Sequence, residues 1–140
     1  MNLKQFIVLC LLTLAVLLAA AGSPAKSGRL LANPEAVKWE KAANGSESTT
    51  LRENPEGVEL LARYPAGHIF PPHWHSANER VVLLQGRISM EQDGKQEFLE
   101  PGGYAYMPAK QVQRMKCVSD MRCAFYVFWD GPLDFHPASD

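Results

Sequence analysis

Two histidines and a glutamate within seven residues carry the chemistry most legible in this 140-residue chain. His73 and His75 lie two positions apart, and Glu79 follows four positions later. On a β-strand, residues i and i+2 share a face, so both imidazoles point one way and Trp74 points the other. Ser76-Ala77-Asn78 has turn chemistry, and a hairpin there returns the Glu79 carboxylate beside the two imidazoles. Two neutral imidazoles and one carboxylate match the charge of a divalent cation and leave coordination positions open, the 2-His-1-carboxylate arrangement of non-haem Fe(II) sites. Zn, Mn, Ni and Cu use similar ligands. The expected cofactor is therefore one divalent ion, with Fe, Mn and Zn all open. Without an ion, such a trio is costly to bury.

The elements that would hold these residues read as strands. From Val37 on, short alternating or apolar runs are separated by turn residues. Val37-Lys38-Trp39 starts the first and Val58 to Tyr64 forms the next. His68 to Phe70 runs into Pro71-Pro72, which cannot donate ladder hydrogen bonds and so marks an edge or bend. Arg80 to Leu84 is dense enough in apolar residues for a strand buried on both faces. Arg87 to Gln92 and Lys95 to Glu100 flank Asp93-Gly94, the strongest hairpin signal in the chain. Tyr104 to Met107, Val112 to Val118 and Arg122 to Trp129 complete the set. Turn signals at this spacing, and no sustained helical period, argue for an all-β sandwich or barrel.

The segment GHIFPPHWHSANERVVLLQG resembles the first motif of the cupin superfamily: Gly67, His73, His75, Glu79 and Gly86, with every interval satisfied. A second cupin motif is half present. Gly102 and Pro108 match, whereas Lys110 stands where Gly is expected, Gln113 where the last His ligand is expected, and Cys117 where Asn is expected. The resemblance covers residues 36–130 and implies a double-stranded β-helix, a jelly-roll-like barrel of about six to eight strands with the metal inside and homodimerisation by strand addition at its edge. HWHSANER and YAYMPAK look like the small single-domain bacterial cupins, distantly similar to the cupin half of zinc-binding anti-sigma factors. The ligand set so implied is His73, His75 and Glu79, with Gln113 as a fourth ligand or as a donor to the ligands. An amide oxygen is a weaker ligand than imidazole for Zn, Cu or Ni. The other reading is a barrel that kept its motif residues and no longer holds metal tightly.

Several residues have two readings. His68 is an extra ligand, a proton shuttle or a rim residue, and His136 is a tail residue past the last strand. Tyr64, Phe70, Tyr104, Tyr106, Phe125 and Phe128 are candidates to line the barrel, while Trp74 packs outward on another layer or subunit. Lys110 and Arg114 either reach an anionic ligand or stay solvated. Cys117 and Cys123 flank a turn at Ser119-Asp120: a two-residue hairpin there pairs Cys117 with Arg122, whereas a three-residue loop sets the cysteines opposite each other within disulfide reach. Otherwise Cys117 serves as a soft auxiliary ligand.

Composition bounds the rest. The 46% hydrophobic content supports a core, and the net charge of −1 gives no basic excess for nucleic acid. Lys4, the apolar run Phe6 to Leu18 and the small residues Ala19 to Ala21 read as a secretory signal peptide, shorter than the ~20 residues of a spanning helix. Residues 1–21 would then be removed with Cys10, leaving 13 basic and 15 acidic residues, a polar arm at 22–35 and a cupin domain at 36–140. No membrane anchor remains after processing, and the expected location is periplasmic or secreted. The function so implied is a small-molecule metalloenzyme of oxygenase, isomerase or decarboxylase type. The alternative is a non-catalytic module that senses or binds a small ligand or metal.

Overall fold

Alternating side chains build eleven strands, described by a computed structural model over residues 31–139. They are β1 (Glu40–Lys41), β2 (Glu47–Asn54), β3 (Gly57–Tyr64), β4 (Ile69–Trp74), β5 (Glu79–Gln85), β6 (Ile88–Gln92), β7 (Lys95–Leu99), β8 (Tyr104–Met107), β9 (Gln113–Cys117), β10 (Cys123–Trp129) and β11 (His136–Pro137). No helix occurs among the described residues. The signal peptide and most of the arm read from the sequence lie outside those residues.

The strands form two antiparallel sheets, one in the order β1-β2-β3-β10-β5-β8 and the other β11-β4-β9-β6-β7. Their inner faces meet in one core, with Val81, Leu83 and Val127 from the first sheet and Ile88, Met115 and Cys117 from the second. Val81, Leu83 and Ile88 are fully buried, each contributing about 1.5–3 kcal/mol of burial. The all-β expectation holds, with the sheets facing each other rather than closing strictly into a barrel.

Four expectations need correction. β5 is buried on one face only, because Arg80 and Val82 are half-buried and Leu84 is exposed on the outer side. Val37–Trp39 lies before the first strand, and the polar strand β2 was not visible in the pattern. The chain does not turn as a hairpin between β4 and β5; it crosses from one sheet to the other. It crosses again between β9 and β10, so Ser119-Asp120 is no hairpin turn. The Asp93-Gly94 hairpin is present, with φ 52° and 73°, the doubly positive geometry that suits the twist of two adjoining strands.

The β9–β10 crossing is closed by the Cys117–Cys123 disulfide, with Cα atoms 5.8 Å apart. It joins β9 to β10 and so ties the two sheets together. As a disulfide, Cys117 has no thiolate to offer a metal. The motif glycine Gly86 lies against this bridge at φ 84°, where a Cβ would come within 2.9 Å of Cys123 Sγ and of Ser119 Oγ.

Candidate metal centre

The two sheets bring the chemistry-bearing residues together from opposite walls. His73 comes from β4, His75 from the crossing after it, Glu79 from the first position of β5 and Gln113 from the first position of β9. All four are buried. His73, His75 and Glu79 each offer a ligand atom, and these atoms lie within 4.8 Å of one another. Glu79 therefore meets the imidazoles across the interior, not across a hairpin.

Pro71-Pro72 explains how His73 comes to face inward. Phe70 pairs with Met115 and His73 with Gln113, so β4 has one residue more than β9 over this stretch. That is a β-bulge, placed where neither proline can donate to the ladder. The bulge rephases the strand: Phe70 and His73 are an odd number of residues apart, yet both line the same cavity.

Each imidazole is fixed through its other nitrogen. His73 Nδ1–H donates to the Pro71 carbonyl at 2.7 Å, and His75 Nδ1–H donates to the Asp134 carbonyl. A carbonyl can only accept, so the hydrogen is on Nδ1 and the Nε2 lone pair is free when the ring is neutral. Burial pushes the His73 pKa below its ordinary value, which favours that neutral form. His75 Nε2 lies 3.4 Å from Glu79 Oε2. Burial raises the Glu79 pKa, opposed by the hydrogen bond from Gln113 and by His75. Withdrawing a carboxylate and two imidazoles from water together is an expensive arrangement without a cation. The donor set therefore fits one divalent ion.

Beside this group lies a cavity of about 400 Å³. Leu60, Phe70, Met115, Phe125 and Val127 give it an apolar wall. Tyr64 stacks on Phe125 with ring centres 5.5 Å apart, and burial, with the nearby Glu79 charge, raises its hydroxyl pKa. Tyr64 therefore holds its proton as a donor. Of the other proposed lining residues, Tyr104 and Tyr106 are 58% and 47% exposed on the outer face. Phe128 also faces outward, with the Arg80 guanidinium 5.3 Å from its ring centre.

His68 packs against two residues of the cavity wall, its ring 4.6 Å from Tyr64 and 4.7 Å from Phe70, and lies outside the ligand cluster. Lys110 and Arg114 line a separate surface pocket with Glu91 and Asp93, not the metal centre. Trp74 does pack outward, on His136 at 3.9 Å between ring centres. His136 is thereby corrected from a free tail residue to part of β11, paired with Trp74 on β4.

Sequence reasoning missed the segment Leu133–His136. Leu133, Asp134 and Phe135 line the cavity. Phe135 stacks on His73 with centres 4.6 Å apart, and Asp134 supplies the carbonyl that orients His75. Hydrogen bonds from Ser76, together with His136, hold the Asp134 carboxyl down at about 2. The available signal was a pair of large apolar residues, Leu133 and Phe135, in a tail of otherwise small or polar ones. Trp129 was also passed over, though it follows by parity from the inward Phe125 and Val127; its indole N–H is buried and without a hydrogen-bond partner.

The family model of the cupin domain matches residues 60–129, and the chain belongs to the cupin superfamily. Among individual proteins, it is similar to a DNA damage-repair/toleration protein of Arabidopsis thaliana, 32% identical over 92 residues. That match covers 64% of this chain but only 28% of the relative. The polyketide cyclase RemF of Streptomyces resistomycificus superposes with a TM-score of 0.67 at 16% identity, covering 81% of this chain and 87% of its own. A structure of Rhodobacter sphaeroides SigE in complex with the anti-sigma ChrR gives a TM-score of 0.60 at 20% identity, covering 70% of this chain and 51% of that one. At these identities the structural likeness establishes the fold alone.

Proposed function

We propose that this chain is an exported cupin in which His73, His75 and Glu79 hold one divalent metal ion, and that it acts on a small, largely apolar molecule in the adjoining cavity. The observation that carries the proposal is the convergence of the three donors on the wall of a cavity that still has room for a ligand. A bound ion would supply Lewis-acid polarisation of a ligand oxygen, or redox chemistry if it is iron or manganese. The chain's own residues do the rest. Pro71 and Asp134 carbonyls orient the imidazoles, Phe70, Phe125 and Phe135 give the ligand apolar surface, and Tyr64 is among the lining residues with a proton to offer. Export is supported by the basic-then-apolar start of the sequence and by a disulfide joining the two sheets, since disulfides persist in oxidising compartments.

A second reading, a non-catalytic binding or sensing module, is favoured by the shortage of acid–base groups. Besides the cluster itself, the titratable side chains lining the cavity are Tyr64 and Asp134. The test uses catechol and salicylate as probes, with metal-loaded and chelator-stripped protein compared by calorimetry. Binding to the loaded form should be at least about tenfold tighter. Equal binding to both forms would contradict a metal-assisted site. Consumption of a probe or of O₂ separates the enzyme from the binder.

A further inference from the structure

Gln113 is the residue that distinguishes this site, and its amide is oriented by the structure. Gln113 is 3% exposed and lies opposite His73 across the β4–β9 ladder. Its Nε2 donates to Glu79 Oε2 at 2.6 Å. An amide N–H only donates, so with Nε2 on Glu79 the Oε1 atom lies on the other side of the amide. That Oε1 is buried and has no hydrogen-bond partner. An orphaned buried acceptor costs about 1–3 kcal/mol, a deficit that a cation held by the neighbouring donors removes.

We propose that Gln113 Oε1 is the fourth protein ligand, and that it shifts the metal preference of the centre toward Mn(II) and Fe(II). The inference rests on the reading that His73, His75 and Glu79 bind metal. With Gln113 the donor set is two imidazole nitrogens and two oxygens. Affinity for nitrogen ligands rises steeply from Mn and Fe toward Ni and Cu, with Zn also high, whereas oxygen donors suit Mn and other hard ions. An amide oxygen in place of an imidazole therefore weakens Zn, Ni and Cu most and Mn least. The usual lead of Zn over Mn narrows. One residue thus holds the ion with its oxygen and fixes the Glu79 carboxylate with its nitrogen.

The experiment measures Kd for Mn²⁺ and Zn²⁺ by competition with a chromophoric chelator in the full chain and in the Gln113→His, Gln113→Leu and His75→Ala variants. It adds the electron paramagnetic resonance spectrum of the Cu²⁺-loaded forms. Expected are at least about tenfold tighter Zn²⁺ binding in Gln113→His, with Mn²⁺ changed by no more than about threefold. Gln113→Leu should bind both ions about tenfold or more weakly. Nitrogen couplings on Cu²⁺ should rise from two to three in Gln113→His. Unchanged affinities in both Gln113 variants, with no third nitrogen coupling, overturn the proposal, and a water satisfies Oε1 instead. If Gln113→Leu does not fold, the two readouts on Gln113→His decide alone. Loss of metal in His75→Ala with no effect at Gln113 defeats this inference only, whereas full affinity in His75→Ala defeats the metal reading beneath it.

Discussion

Lys110 shows how a departure from the family pattern is absorbed by the backbone. It stands where the cupin motif has Gly, and it holds φ 64°, a left-handed conformation that costs a residue with a Cβ about 1–2 kcal/mol. Its N–H donates to the His75 carbonyl at 2.8 Å, so the backbone there is needed to join the chain before β9 to the segment carrying the ligands. Nothing in the structure explains why lysine is used. Replacing Lys110 by Gly relieves the strain and gives back part of the gain in unfolded-chain entropy. The expected outcome is stabilisation of about 0.5–1 kcal/mol with metal affinity unchanged, read from urea denaturation. A destabilised Lys110→Gly would show that the side chain has a role the backbone geometry does not reveal. The motif residues His73, His75 and Glu79 were legible because intervals in sequence report parity on strands. The rest of their environment was not, since Asp134 acts through a carbonyl that any residue would supply, and only tertiary placement makes it a partner of His75.

At the scale of elements, the C-terminal segment is part of the centre although β11 is only two residues long. Phe135 lies over His73, Asp134 orients His75, and His136 stacks on Trp74. Removing residues 134–140 should weaken metal binding about 10–100-fold, the usual effect of losing a group that orients a ligand. Chelator competition reads the affinity, and circular dichroism should still show the two-sheet fold. Undiminished affinity would mean that the imidazoles are positioned by β4 alone. This element was illegible because it has no period of its own and exists only by pairing with β4. β2 was hidden for a related reason: ESTTLREN has no apolar alternation and is held by its partner β3. The β4–β5 connection was misread as a hairpin because Ser76-Ala77-Asn78 allows a turn either within one sheet or between two. Local turn chemistry does not say which strand comes next in space. By contrast, β3, β5, β6, β9 and β10 were visible as runs because each has an inner face with apolar residues, and the largely exposed β7 was visible from the Asp93-Gly94 turn before it.

For the whole molecule, the question is what holds the two sheets at the spacing the centre requires. The shared core does most of this, and the Cys117–Cys123 bridge fixes one crossing between the sheets. Closing so short a loop contributes about 2 kcal/mol by chain entropy. The double replacement Cys117→Ala and Cys123→Ala should lower stability by about that amount or somewhat more, since both side chains are also fully buried. Denaturation of oxidised, reduced and doubly substituted protein measures it, and no loss on reduction would show that the core alone sets the spacing. Core and bridge together keep the donors from the two sheets close enough to share a cation. Whether they hold one is the central claim. The direct measurement is the metal content of the full chain purified without chelator or histidine tag, beside His75→Ala. Near-stoichiometric iron, manganese or zinc, lost in the variant, is the predicted result. Equal trace metal in both proteins, even after reconstitution with each ion, would contradict the account and leave the cavity as an apolar ligand site without a metal.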